Sequence, residues 1–187
     1  MKKLPSRKNN RLKEYDYSEN GYYYVTICSK DRQNIFAKIN ISKIVGAGLA
    51  SARDNNPVQI QLTQIGQIVQ NQWINIPNQC HNVDIDTFII MPNHIHGIII
   101  INNRDEASPS PTNLGQIICS FKSKCTNKYL NFITQNNLDK SSKIWQRNYY
   151  DHIIRNDKSL QEVREYIINN PATWADDENN IEKSKTL

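Results

Sequence analysis

Hydrophobic positions recur along this chain with two periods, and stretches of one period alternate with stretches of the other. "YYYVTICS" (22–29) crowds aromatic and β-branched residues and predicts a strand, as does the alternating "VQIQL" (58–62). In "TQIGQIVQNQWINIP" the residues Ile65, Ile68, Val69 and Trp73 are three and four apart, which predicts a helix capped by Thr63 and closed by Pro77. "VDIDTFII" (83–90) and "HIHGIIII" (94–101) predict two strands, joined into a hairpin by Met91, Pro92 and Asn93. "LGQIICSFKSKCTNKYLNFI" (114–133) predicts an amphipathic helix with Ile117, Ile118, Phe121, Cys125 and Leu130 toward the core. "KIWQRNYYDHIIR" (143–155) predicts an extended segment. "SLQEVREYIINNP" predicts a last helix, with Ser159 and Glu162 as a capping box and Pro171 as its end. The order is β, short β, α, β, β, α, β, α. Its backbone, β-α-β-β-α-β, is the split βαβ of a ferredoxin-like α+β sheet, with an added C-terminal helix.

The polar stretches set the boundaries. Residues 1–20 are polar and basic and are expected to be a flexible arm. Residues 21–175 are expected to form a single domain, with 44–57 as an inserted loop, and 176–187 an acidic tail. A chain of 187 residues fits one domain. No apolar run approaches the roughly 18 residues of a membrane helix. The basic start has no apolar segment behind it, so a cytoplasmic protein without a secretory signal is expected. Cys28, Cys80, Cys119 and Cys125 form no CxxC pair and no zinc-finger spacing, which points to reduced thiols. Lys plus Arg number 23 against 18 Asp plus Glu, a net charge of +5. The charge is segregated. Lys2 to Lys13 and Lys122 to Arg147 are basic regions, and Asp176, Asp177, Glu178 and Glu182 gather near the end. This suits a polyanion-binding face with the acidic tail set apart from it.

Two of the four histidines, His94 and His96, sit one residue apart in a predicted strand. Alternation points both to one face, where two imidazoles can converge on one divalent ion. The same pattern also occurs as ordinary polar residues on an open sheet face. Gly97 is expected to leave space beside the pair, and the isoleucine run to make the strand rigid. In the last helix Tyr166 and Asn170 are four apart and share a face. Asn170 offers an amide oxygen to a hard cation, and the phenol of Tyr166 is a potential nucleophile beside it.

"MPNHIHG", "SFKSKCTNKY", "WQRNYYDHIIRN" and "REYIINNPATW" together resemble the single-tyrosine HUH transposases (the IS200-like transposases), and most of all their REP-associated tyrosine transposase branch. The resemblance runs from about Tyr22 to Trp174. It implies that His94 and His96 bind a divalent metal, that Asn170 completes the site, and that Tyr166 is the nucleophile. The implied activity is a metal-dependent single-stranded DNA endonuclease and strand transferase with a 5′-phosphotyrosine intermediate, acting at hairpins. Mg²⁺ or Mn²⁺ suits such a site better than zinc, because it accepts oxygen ligands and keeps open positions.

The basic residues then gain a purpose. Lys122, Lys124 and Lys128 are expected to neutralise phosphates, with Arg147 and Arg155 flanking Tyr149 and Tyr150 as stacking platforms. His152 lies in a stretch that carries the resemblance, and its residue type leaves its role open. The expected partners are single-stranded or hairpin DNA, with no membrane, for a monomer or homodimer. Two other activities use the same residues: a phosphodiesterase with an activated water, and a hairpin-binding protein without catalysis.

Overall fold

Strand alternation divides the molecule into two layers around one sheet. The computed structural model describes residues 12, 14–41, 58–102, 113–177 and 179–180. Strands β1 (Gly21–Cys28), β4 (Val83–Ile90), β5 (His94–Ile101) and β6 (Tyr150–Ile154) form an antiparallel sheet in the order β4-β5-β1-β6. That is the expected ferredoxin-like order, with β1 and β5 in the middle. Cys28 lies opposite His94 and Thr26 opposite His96, while on the other side of β1 Thr26 faces Tyr150 and Tyr24 faces His152.

One sheet face presents Tyr23, Val25 and Ile27 of β1 with Ile95 and Ile99 of β5. Helices α1 (Gln64–Ile74) and α3 (Leu114–Gln135) cover it with Val69, Trp73, Ile117, Phe121 and Cys125. The opposite face presents Tyr24, His94, His96 and Ile98, and it is only partly covered. Helix α4 (Asp157–Asn169) packs Leu160 and Ile167 there against Tyr24, Ile98 and Ile154. The isoleucine run of β5 is apolar on both faces because both faces are covered over that length.

Several boundaries differ from the sequence pattern. Strand β2 (Ala37–Ile41) pairs with β3 (Val58–Leu62) as a separate ribbon; its alternating AKINI pattern was passed over in the sequence. The ribbon leads into α1, where Thr63 Oγ1 accepts from Gly66 N at 3.1 Å, the expected cap. Gly66 is required there, since a Cβ would collide with the Phe36 carbonyl. Pro77 does not close α1 but sits in the first turn of α2 (Ile76–Gln79), where its missing N–H costs nothing. The cap of α4 is Asn156, whose side chain accepts from Ser159 N at 2.8 Å, so Ser159 and Glu162 form no capping box. A capping box does open α3, between Asn113 and Gln116. Helix α4 ends at Asn169, just before Pro171 as expected, and a 3₁₀ helix then runs from Asn170 to Asp176 with the proline in its first turn.

Three expectations about the ends and the middle are corrected. The end of the basic arm is part of the fold: Tyr15 and Tyr17 pack on Tyr23, and Tyr17 O accepts from Leu114 N. The start of the acidic tail is not set apart, because Asp177 is buried against the histidine face. Gly97 gives no room to the histidine pair. It points to the other sheet face, where a Cβ would strike the Trp73 ring. The insertion at 44–57 and the basic residues Lys2, Lys3, Arg7, Lys8, Arg11 and Lys13 lie outside the described residues. Cys28 and Cys125 are buried, Cys80 half-buried and Cys119 exposed, and all four are free thiols.

Candidate metal and tyrosine site

The histidine pair is held by its neighbours in β1 and in the hairpin turn. Asn93 donates its Nδ2 to the carbonyls of Arg32 (3.0 Å) and Asn179 (2.7 Å), which leaves its Oδ1 facing His94 Nδ1 at 2.8 Å. His94 therefore carries its proton on Nδ1 and turns the lone pair of Nε2 outward. His96 Nδ1 lies 2.7 Å from Tyr24 Oη and 3.0 Å from Thr26 Oγ1, and Thr26 Oγ1 donates to Tyr24 Oη. The two Nε2 atoms meet at 2.8 Å. Without a cation, Tyr24 can donate to His96 Nδ1 and His96 Nε2–H to His94. For both Nε2 atoms to ligate one cation, His96 would carry its proton on Nδ1, where the oxygens of Tyr24 and Thr26 can accept it. Burial drives both imidazoles down to about 3, with repulsion from Arg32 adding to it at His94 and from His94 at His96. Both rings are thus neutral at pH 7, the form that ligates metal. Burial likewise pushes the Tyr24 phenol up, so it stays protonated.

Two further side-chain oxygens are buried without a hydrogen-bond partner among the described residues. Asn170, at the junction of α4 and the 3₁₀ helix, is 2% exposed, and its Oδ1 has no hydrogen-bond partner among the described residues. Asp177, at the far end of that 3₁₀ helix, uses Oδ1 to accept from Asn179 N (2.6 Å) and Nδ2 (3.0 Å). Its Oδ2 is buried without a hydrogen bond, 4.0 Å from His94 Nε2. Since His94 is neutral this is no ion pair, and a buried carboxylate oxygen without a counter-charge is costly. One ligand atom from each of His94, His96 and Asp177 lies within 4.8 Å of the others. These three side chains could hold a divalent cation, and Asp177 Oδ2 is an orphaned oxygen that such an ion would satisfy. The sequence offered Asn170 as a candidate ligand and left Asp177 in the acidic tail; Asp177 lies in extended backbone just past a 3₁₀ helix, so no helical spacing pointed to it.

Tyr166 stands on α4 one turn before Asn170. Its ring is half exposed, with its centroid 5.3 Å from that of His96 and 6.2 Å from that of Tyr24. The helix is fastened to its own sheet by Arg164, whose Nε (3.1 and 3.2 Å) and Nη2 (2.5 Å) donate to the Asp86 carboxylate in β4. Asp86 sits at the register shift between Ile85 and Phe88. Hydrogen bonds from Arg164 hold its carboxyl below the usual range. With Leu160 and Ile167 packed on the sheet, this clasp fixes the face of α4 that carries Tyr166.

The expected DNA-contacting residues divide between two faces. A cleft of about 680 Å³ beside His96 and Tyr166 is lined by Tyr149, Tyr150 and His152, and also by Arg32, which sequence reasoning passed over. A second hollow of about 310 Å³ on the other side of Tyr166 is lined by Asn170, Asp177 and Asn179. Arg147 and Arg155 are exposed near the ends of this extended segment. Helix α3 lies on the opposite side of the sheet, because its apolar stripe fills the other core. Lys122 turns its ammonium to the backbone of the loop 146–148. It donates to the carbonyls of Gln146 (2.8 Å), Arg147 (3.5 Å) and Asn148 (3.1 Å), and burial lowers it to about 8. Lys124 donates to Gln79 Oε1, and Lys128 is exposed on α3. These three lysines do not line the tyrosine cleft.

No family model matches the chain. It is 35% identical over 188 residues to an uncharacterized protein of Haemophilus influenzae, covering 92% of each chain. The solved structure of a REP-associated tyrosine transposase bound to a REP hairpin is similar over 87% of this chain and 74% of that one. Its TM-score is 0.55, at 18% identity. A putative transposase from Deinococcus radiodurans is similar over 85% of this chain and 95% of its own, with a TM-score of 0.44 and 12% identity. Among the described residues no helix is long and apolar enough to cross a membrane. The chain belongs to one family with the Haemophilus influenzae protein, and its sheet and helices have the fold of the REP-associated tyrosine transposase.

Proposed function

We propose that this protein is a transposase-like HUH nuclease that nicks and rejoins single-stranded DNA at hairpins, with Tyr166 as its nucleophile. The observation that carries the reading is the meeting of His94 Nε2 and His96 Nε2 at 2.8 Å, beside the helix that brings Tyr166. The structural relative's hairpin ligand supports DNA as the partner. His94, His96, Asp177 and Asn170 would hold the ion, Mg²⁺ or Mn²⁺, whose oxygen-rich coordination suits an amide and a carboxylate. When bound, the ion neutralises charge on a phosphate oxygen. Asn93, Tyr24 and Thr26 keep the two imidazoles oriented.

Tyr166 Oη attacks the phosphorus, forming a Tyr–O–P bond as the P–O3′ bond breaks. The phenolic proton passes to solvent, to which the half-exposed ring is open, and the departing 3′ oxygen takes a proton from water. The tyrosyl ester keeps one phosphodiester's worth of bonding, so attack by another 3′-hydroxyl regenerates the phenol and joins two strands. Incubating the full chain with single-stranded oligonucleotides from the flanks of its gene, in Mn²⁺, tests this on a denaturing gel. Cleavage in Mn²⁺ and none in EDTA is the expected result. Undiminished cleavage in excess EDTA contradicts the reading.

A further inference from the structure

One wall of the cleft beside His96 and Tyr166 comes from a single short segment, residues 146–152. Gln146, Asn148, Tyr150 and His152 all line it, and across from them stand Tyr24 and Thr26 of β1. Its volume of about 680 Å³ falls within the range of roughly 300–1,000 Å³ that holds small ligands. Tyr150 is 51% exposed and meets Tyr24 edge-on, with centroids 6.3 Å apart, which leaves an aromatic surface open to the cleft. Gln146 and Asn148 make no side-chain hydrogen bond among the described residues. Each amide carries a donor and an acceptor side by side, the pattern that matches the edge of a nucleobase.

The loop bearing these amides has no regular ladder, yet it is fixed from two sides. Gln146 N donates to the Cys28 carbonyl at 3.0 Å, and Ser29 bridges Trp145. Lys122 Nζ reaches from α3 to three successive carbonyls, those of Gln146, Arg147 and Asn148, and lies 5.9 Å from the centre of the Tyr149 ring. An ammonium spent on three backbone oxygens is not free for phosphate. What it does is hold positions 146 and 148 at the mouth of the cleft.

We propose that this cleft is a nucleobase pocket. In it Gln146 and Asn148, carried on the loop that Lys122 anchors, select the base next to the phosphate that Tyr166 attacks, and Tyr150 stacks on that base. The proposal rests on the nicking activity proposed above. It adds that base choice at one position is made by these two amides.

The test uses the full-length protein and a single-stranded oligonucleotide library randomised over ten positions. Adducts formed in Mn²⁺ are isolated and sequenced, and base frequencies are compared at each position around the attached phosphate. The wild type should show a strong base bias at one adjacent position. The double variant Gln146→Ala/Asn148→Ala should lose roughly tenfold of that bias while keeping the preferences elsewhere. Lys122→Met should reduce the same bias. The double variant settles the matter if Lys122→Met does not fold, because Asn148 is exposed and Gln146 half-buried. No bias in the wild type, or a bias unchanged in the double variant, overturns the proposal. If the wild type forms no adduct, the nicking activity is refuted separately. The same library selected by retention on the protein in EDTA then decides the pocket by the same comparison of base frequencies.

Discussion

Acidifying the metal-free protein should cost it stability through two named groups. His94 and His96 are 0% and 2% exposed, and burial pushes both imidazoles from their ordinary value near 6.5 to about 3. A depressed folded-state pKa gives stability that is fully present above the unfolded value and is lost as pH falls toward the folded one. The sensitive window therefore opens at pH 6.5 and extends down to about 3. Between pH 7.5 and 5.5 each unfolded imidazole takes up nearly a full proton that the folded ring refuses. That is about 1.4 kcal/mol per ring and about 2.7 kcal/mol for the pair. Against a typical total of about 5–15 kcal/mol, such a loss is readily seen. The assay is urea unfolding in EDTA at pH 7.5 and 5.5, for the wild type and for His94→Gln/His96→Gln. The wild type should lose about 2–3 kcal/mol more than the double variant over this step. Equal losses in the two proteins would refute the buried neutral pair.

Asp177→Asn keeps the hydrogen bonds to Asn179 but removes the orphaned charge, so Mn²⁺ affinity measured by calorimetry should fall roughly tenfold or more, while metal-free stability holds or rises. Gly97→Ala drives a methyl group into the Trp73 ring and should cost about 1–3 kcal/mol in urea unfolding, with quenched or shifted tryptophan fluorescence. Breaking the clasp with Arg164→Ala and Asp86→Ala, singly and together, should give a coupling energy of roughly 1 kcal/mol in a double-mutant cycle. Each single change should also slow adduct formation more than it weakens DNA binding, because the clasp fixes the helix that carries Tyr166.

Most strands were legible because apolar and β-branched residues mark them clearly. β3, β4 and β5 begin and end where alternation and β-branching say they should. Helix ends were less legible. Asn156 outcompeted Ser159 as a cap, whereas Pro171 marked the end of α4 correctly. Asp177 was hidden because it sits in extended backbone beyond a short 3₁₀ helix, where no periodic pattern ties it to the histidines. Lys122 shows another boundary of sequence reasoning. A lysine in a basic stretch looks like a phosphate contact, and only the fold reveals that three loop carbonyls consume its ammonium. Gly97 likewise reads as open space until strand alternation places it against Trp73 on the opposite face.

The central claim is that Tyr166 is the group that takes the DNA. Wild type, Tyr166→Phe, Tyr149→Phe and Tyr150→Phe are incubated in Mn²⁺ with single-stranded DNA carrying a label downstream of the nick. The covalent product is then digested and the modified peptide mapped. The label should sit on Tyr166 in the wild type and persist in the Tyr149 and Tyr150 variants. It should vanish in Tyr166→Phe, whose metal and DNA affinities should stay close to those of the wild type. Label on any other residue, or nicking with no covalent product at all, would contradict the account.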